Sequence, residues 1–206
     1  MAEIKKTDTG RIVLANAEYV HVTPYVDEDT LGTQTYDIVD IVGDTLSFTP
    51  DDNTINAKEG EFKDDPLFEN VILGKYQFAA TCIDFQNTVM TAIYGWEEDV
   101  DGNVYAPAGY KDKYALIEVG FRNEDRIVVA PKVKLNSKAT IGTLKTGTGE
   151  GMIAGTAYSA NINSKTKPLA FLNAKKDKET GIPAATYTLT IGKTTSNFKA
   201  AAGVQA

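Results

Sequence analysis

The sequence is poor in the residues most often given chemical work. Its 206 residues include one cysteine, Cys82, one histidine, His21, and one tryptophan, Trp96. A lone cysteine closes no internal disulfide, which excludes a disulfide-stapled scaffold. Its place in the apolar run "YQFAATCI" predicts a buried, inert thiol. Zinc centres and hydrolytic triads mostly need histidine partners, and a lone His21 and a lone Cys82, 61 positions apart in β-like runs, are a poor basis for either. No stretch approaches the roughly 18 consecutive apolar residues that a membrane-spanning helix needs. The opening "MAEIKKTDTGRIV" has two lysines with no apolar run behind them, so no secretory signal is read there. A soluble protein made in a cytoplasm is expected. Basic clusters interleaved with aromatics are missing as well, which argues against tight nucleic-acid binding.

What is present is divided unevenly. The net charge is −7, but residues 1–110 carry 21 acidic and 6 basic side chains, a net −15, while residues 111–206 carry 15 basic and 7 acidic, a net +8. One reading is separate solvation of different loops. The other is self-complementarity, in which the acidic surface of one copy meets the basic surface of the next. Such a head-to-tail contact builds rings or filaments.

Alternation of period two runs through most of the chain and predicts strands. In "YALIEVGFR", Ala115, Ile117, Val119 and Phe121 share one face, with Glu118 and Arg122 on the other. In "RIVVAPKVKL", Ile127, Val129, Val133 and Leu135 align opposite Lys132 and Lys134. Pro131 has no amide to donate and predicts an edge or a bulge there. "ATYTLTI" sets Tyr187, Leu189 and Ile191 against threonines, and "RIVLANAEYVHVTP", "TYDIVDIVG", "DTLSFTP" and "GMIAGTAYSANI" are further strands. "RNEDR" and "GTGEG" are short connections suited to antiparallel hairpins. One stretch breaks the pattern. In "DFQNTVMTAIYGW", Asp84 is placed to cap a helix whose face carries Phe85, Val89, Met90 and Ile93, with Gly95 as its stop and Trp96 plugging the core beneath.

The expected fold is therefore mainly β (α+β): an antiparallel β-sandwich or barrel with one flanking helix at about 84–95, in a single domain over 1–206. Two regions sit outside that pattern. Residues 44–70, most strongly 49–66, are acidic and read as a long loop arm between strands. Residues 163–206 read as a lysine-rich extension, with an apolar patch "PLAFL" that docks on something and a small polar tail that frays in an isolated copy.

Chemical motifs fare poorly. "EEDVDGNVY" has acidic residues before Gly102, but counting from Glu97 puts Ala108 where a calcium loop needs its last carboxylate, so a solvent-facing hairpin is expected. "GEGMIA" fits a dinucleotide fingerprint only if a helix follows, and the next residues are strand-like. The pairs Asp51–Asp52 and Asp64–Asp65 lie in the polar arm, where nothing apolar raises a carboxyl pKa. Ten spread tyrosines read as half-buried sheet residues. No catalytic, cofactor or metal residue is assigned.

The order of elements carries more. The strand "YQFAATCI" runs into the helix, a turn-bearing segment follows, then the hairpin "YALIEVGF"/"RIVVAPKVK", then "ATIGTLKTG"/"GMIAGTAYSAN". This order, with the opening "GRIVLANAEYVHVTP", resembles the major tail protein, or tail tube protein, of long-tailed bacteriophages over about residues 10–162. The resemblance implies a virion structural protein and no enzyme. It implies six-membered rings whose inner strands join around a lumen, stacked head to tail into the tube through which DNA passes. Partners would be further copies and tape-measure, terminator and baseplate components, with DNA passing unbound along an acidic lumen and no membrane involved. The acidic arm would then supply contacts between subunits or rings through Asp51, Asp52, Glu59, Glu61, Asp64 and Asp65. A monomeric β-sandwich that binds a glycan or a protein is the alternative, and a hydrolase using carboxylates alone stands third, since no spacing selects its pair.

Overall fold

The computed structural model describes residues 17–38, 41–60, 63–83, 86–109, 112–121, 126–140, 150–176 and 183–199; for 56–60, 63–69, 140 and 199 only the backbone is described. The chain is mainly β, with antiparallel sheets and one short helix. In chain order the first strands are β1 (Ala17–Asp27), β2 (Thr30–Leu31), β3 (Tyr36–Asp37), β4 (Ser47–Pro50), β5 (Thr54–Gly60), β6 (Lys63–Ile72) and β7 (Tyr76–Cys82). The helix α1 (Asn87–Val89) continues directly as a π-helical turn, Met90–Tyr94. After it come β8 (Glu97–Glu98), β9 (Val104–Tyr105), β10 (Lys113–Phe121), β11 (Arg126–Leu135), β12 (Lys138–Thr140), β13 (Glu150–Tyr158) and β14 (Ala160–Ile162). The chain closes with β15 (Lys165–Lys167), β16 (Ala170–Asn173), β17 (Lys175–Lys176), β18 (Pro183–Ala184), β19 (Thr186–Ile191) and β20 (Thr194–Lys199).

The large sheet runs β2-β1-β10-β11-β13-β7-β4. Its core draws on both ends of that order: Val20 and Val22 of β1, Ile117 and Val119 of β10, Ile153 of β13, and Phe78 and Cys82 of β7 pack in one cluster. The sheet therefore curls, and the helix fills the hollow with Val89, Met90, Ile93 and Tyr94. Between the two ends, Ile38 N donates to Val20 O and Val42 N to Thr81 O, at 2.8 Å each. No ladder of described residues closes the curl into a barrel.

The helix begins later than the sequence predicts. Gln86 precedes it in an extended conformation without a side-chain cap, and Asp84 and Phe85 lie outside the described residues. Its start is held instead by Asn87, whose Nδ2 donates to Gly102 O at 2.8 Å. Its end matches the prediction, with Gly95 at φ 78°, ψ 22°, the left-handed cap that glycine supplies without strain. Lys113 Nζ reaches from β10 to donate to Thr91 O and Ala92 O, satisfying carbonyls of the last turn. Trp96 packs part-buried against the core, and Cys82 is fully buried beside the Tyr94 hydroxyl.

The sheet's second face is also buried, which alternation in β10 does not announce. Tyr19, Leu116, Ile127 and Val129 meet Ile162, Tyr187 and Leu189 from a second sheet, ordered β15-β14-β19-β20. The lysine-rich segment thus supplies the cover of a second core. Its patch "PLAFL" docks on the chain itself, as β16 pairs with the first half of β11. The tail expected to fray is paired over Thr194–Lys199 with β19, because β19 offers a complete antiparallel edge; residues 200–206 lie outside the described residues. The alignment of Ile127 and Val129 with Val133 and Leu135 is corrected too. A bulge at Pro131, between the Ala130–Ile117 and Val133–Ala115 pairs, shifts the strand's phase. Ile127 and Val129 consequently face the second core and Val133 and Leu135 the first.

Candidate functional site

The acidic arm is a β-hairpin. β5 and β6 pair only with each other among the described strands, so both outer edges of the arm lack a partner strand. The arm grows from the β4–β7 ladder, whose last pair, Pro50–Tyr76, is continued by Asp51 N donating to Lys75 O at 2.8 Å. Gln77 Nε2 donates to Asp51 Oδ2 at 2.7 Å, and Gly74 N to Asn53 Oδ1 at 3.0 Å. A Cβ at Gly74 would run into the Asp51 carbonyl, so the arm's root depends on close backbone approach there. Beside the root, Ile55, Val71, Ile72 and Leu73 are exposed, Leu73 at 76%. Edges without partners and apolar residues in water are the features of a strand arm that joins another chain.

The six candidate contact residues divide accordingly. Asp51 anchors the arm through Gln77, while Asp52 is exposed at its root. Glu59 lies in β5 and Asp64 and Asp65 in β6, on the arm itself, and their side chains are outside the description, as is Glu61 altogether.

The "EEDVDGNVY" stretch folds as the β8–β9 hairpin. Asp99 accepts from Asn103 Nδ2 and Tyr105 Oη on Oδ2 and from the backbone amides of Asn103 and Asp101 on Oδ1. Those donors, Asn103's first, hold its pKa down at about 2. "GEGMIA" leads into strand β13, with no helix to receive a pyrophosphate.

A second location was not foreseen from the sequence. A cavity of about 480 Å³ lies between the large sheet's second face and β19–β20, lined among others by His21, Leu116, Glu118, Leu189, Ile191 and Phe198. His21 and Glu118 are direct cross-strand partners on β1 and β10, 1% and 6% exposed. Tyr187 Oη donates to Glu118 Oε1 at 2.8 Å. Tyr19 stacks on the His21 ring with centroids 4.2 Å apart. Neither nitrogen of His21 has a hydrogen-bond partner among the described residues, and Asp37 Oδ1 stands 3.7 Å from Nε2. Burial pushes the Glu118 pKa up against the opposing Tyr187 bond, and burial pushes the His21 pKa down against the Asp37 charge. One signal was available: Glu118 is the only charge between Tyr114 and Phe121, and the apolar stripe of "ATYTLTI" needs a surface to cover.

The raised Glu118 pKa makes a prediction with a definite sign. Between the ordinary carboxylate pKa and the raised one, the folded chain keeps a proton that the unfolded chain has released. Folding stability therefore falls as pH rises through that window. Glu118→Gln, which still accepts from Tyr187, should match wild type in acid and become the more stable above it. The gap should widen by up to about 1.4 kcal/mol per pH unit inside the window. Urea unfolding of both proteins from roughly pH 4 to pH 8 measures it, and a gap independent of pH would refute an ionising Glu118.

No known protein-family model matches the chain, and no curated protein matches it.

Proposed function

We propose that this chain is a structural subunit of a phage tail tube, assembling into stacked, hexameric rings that form a channel for DNA. The observation that carries this reading is the arm: an acidic hairpin with two edges that no described strand pairs and an apolar root, in a chain whose other half is basic. A hairpin of that kind gains ladder bonds and buries Ile55, Val71, Ile72 and Leu73 when it reaches a neighbouring copy. Assembly is then the whole mechanism, with sheet edges closing the ring and arms stacking it. A lumen requires a sheet region with one wet face, and β1, β10 and β11 are covered on both sides. The outer face of β4, β7 and β13 is left for that role, presenting Ser47, Thr49, Gln77, Thr81 and Thr156 together with Glu150, Met152 and Tyr158. Most of these groups are uncharged, in place of the acidic lumen that the resemblance implies, with Glu150 at one end and Lys134 and Lys138 paired beside Thr156 and Met152. A monomeric binding module is the second reading, favoured by the His21–Glu118 cavity.

Light scattering on size-exclusion fractions, with the same fractions viewed by negative-stain electron microscopy, tests the proposal. Hexamer-mass rings or hollow fibres of uniform width are expected. Asp52→Lys, Asp64→Lys and Asp65→Lys together should keep the monomer's thermal unfolding and cut fibre yield at least about tenfold, a loss of about 1.4 kcal/mol per contact. Asp51 is kept because it holds Gln77. Unchanged fibre length and yield in the triple variant would remove the arm from assembly.

A further inference from the structure

We propose that the cavity between β1–β10 and β19–β20 binds a primary or secondary ammonium carried on a short apolar body. The site stands whether or not the chain forms tubes. Its floor holds two polar groups that face each other across one rung of the β1–β10 ladder, Glu118 and His21. Both are more than nine-tenths buried, and both His21 nitrogens lack hydrogen-bond partners among the described residues. Buried polar groups normally find a partner, and one left open inside a cavity of ligand size is a docking point.

The chemistry of the walls selects the ligand. No Lys or Arg is among the described lining residues, while Glu118 sits at the floor and Asp29, exposed, at the mouth. An anion entering there would meet the Glu118 and Asp29 carboxylates and no described lysine or arginine to offset them. An ammonium would meet a carboxylate whose ionisation it promotes, and it has further N–H bonds to give to a neutral imidazole nitrogen. Leu116, Leu189, Ile191 and Phe198 then enclose an apolar body, with Phe198 held in place by stacking on Tyr187. The two demands, one cationic head and a short apolar stem, are met by small organic amines and by a lysine side chain of another copy.

The test titrates the full-length chain with benzylammonium chloride, using benzyl alcohol and sodium benzoate as shape-matched controls, and reads binding by calorimetry and amide chemical shifts. Saturable binding of the amine, at least tenfold tighter than the alcohol by about 1.4 kcal/mol and with no binding of benzoate, is expected. Glu118→Gln keeps the Tyr187 bond, so it should fold and lose the preference for amine over alcohol. His21→Phe should weaken the amine further relative to wild type. Absence of saturable binding, an alcohol bound as tightly as the amine, or an undiminished preference in Glu118→Gln would each overturn the assignment. Light scattering with saturating amine separates the two sources. Reduced self-association points to a lysine of a second copy, and unchanged self-association to a free amine.

Discussion

Replacing Tyr187 by alanine is expected to cost about 3–5 kcal/mol of folding stability, the range seen when a large buried aromatic is removed. The ring is 2% exposed and carries two loads at once. It stacks on Phe198 at a centroid distance of 5.6 Å, which holds β20 against β19, and it covers the second face of the large sheet beside Leu116 and Ile127. Its hydroxyl also donates to Glu118, a buried carboxylate of that core. Tyr187→Phe separates these loads. It keeps the ring and removes only the donor, for an expected loss of about 1–3 kcal/mol. Guanidinium unfolding of both variants, with the slope checked for constancy, supplies the comparison. A loss below about 1 kcal/mol in Tyr187→Ala would mean that the C-terminal sheet is not part of the cooperative core.

That prediction concerns a part of the molecule that alternation alone misplaces, and the reason is physical. Period two reports only that one face of a strand is apolar. It identified β10, β11 and β19, and it identified the inward set of β10, since Ala115, Ile117, Val119 and Phe121 all lie in the first core. It cannot say whether the mixed face meets water or a second layer. Glu118 reads as a solvent residue, yet one tyrosine hydroxyl and the cover of β19 are enough to bury it. The bulge was signalled by Pro131, but its consequence, a change of face between Val129 and Val133, follows only once the pairing is known. The helix shows the converse. Its apolar face and its glycine stop were local features and readable, whereas its first turn is fixed by Gly102, fifteen residues on, which no local rule supplies. For the same reason the arm was legible as an excursion of acidic composition, and its hairpin pairing and exposed apolar root were not.

Substitution of Gly120 by alanine should destabilise the fold by about 1–3 kcal/mol, although the general expectation for such a change has the opposite sign. Glycine in a strand loses more conformational freedom on folding than alanine does, so a glycine-to-alanine change at a compatible position stabilises by about 0.4–1 kcal/mol. Gly120 lies outside the left-handed region, so its backbone presents no obstacle. The obstacle is Tyr19, its direct partner across the β1–β10 ladder. A Cβ at residue 120 would fall against Cε1, Cζ and Cδ1 of that ring. The ring has little freedom to retreat, because it is buried, stacked on His21 and bonded through its hydroxyl to Pro183 O at 3.3 Å. Any tilt that admits the methyl gives up one of these contacts. The double-mutant cycle with Tyr19→Leu then decides the cause. If ring overlap sets the cost, Gly120→Ala should be at least 1 kcal/mol less harmful, by about the usual coupling of touching residues, when leucine stands at 19. Should the alanine variant instead unfold at higher denaturant than wild type, the entropy of the glycine outweighs the packing of the tyrosine, and the Tyr19–His21 stack is looser than its geometry requires.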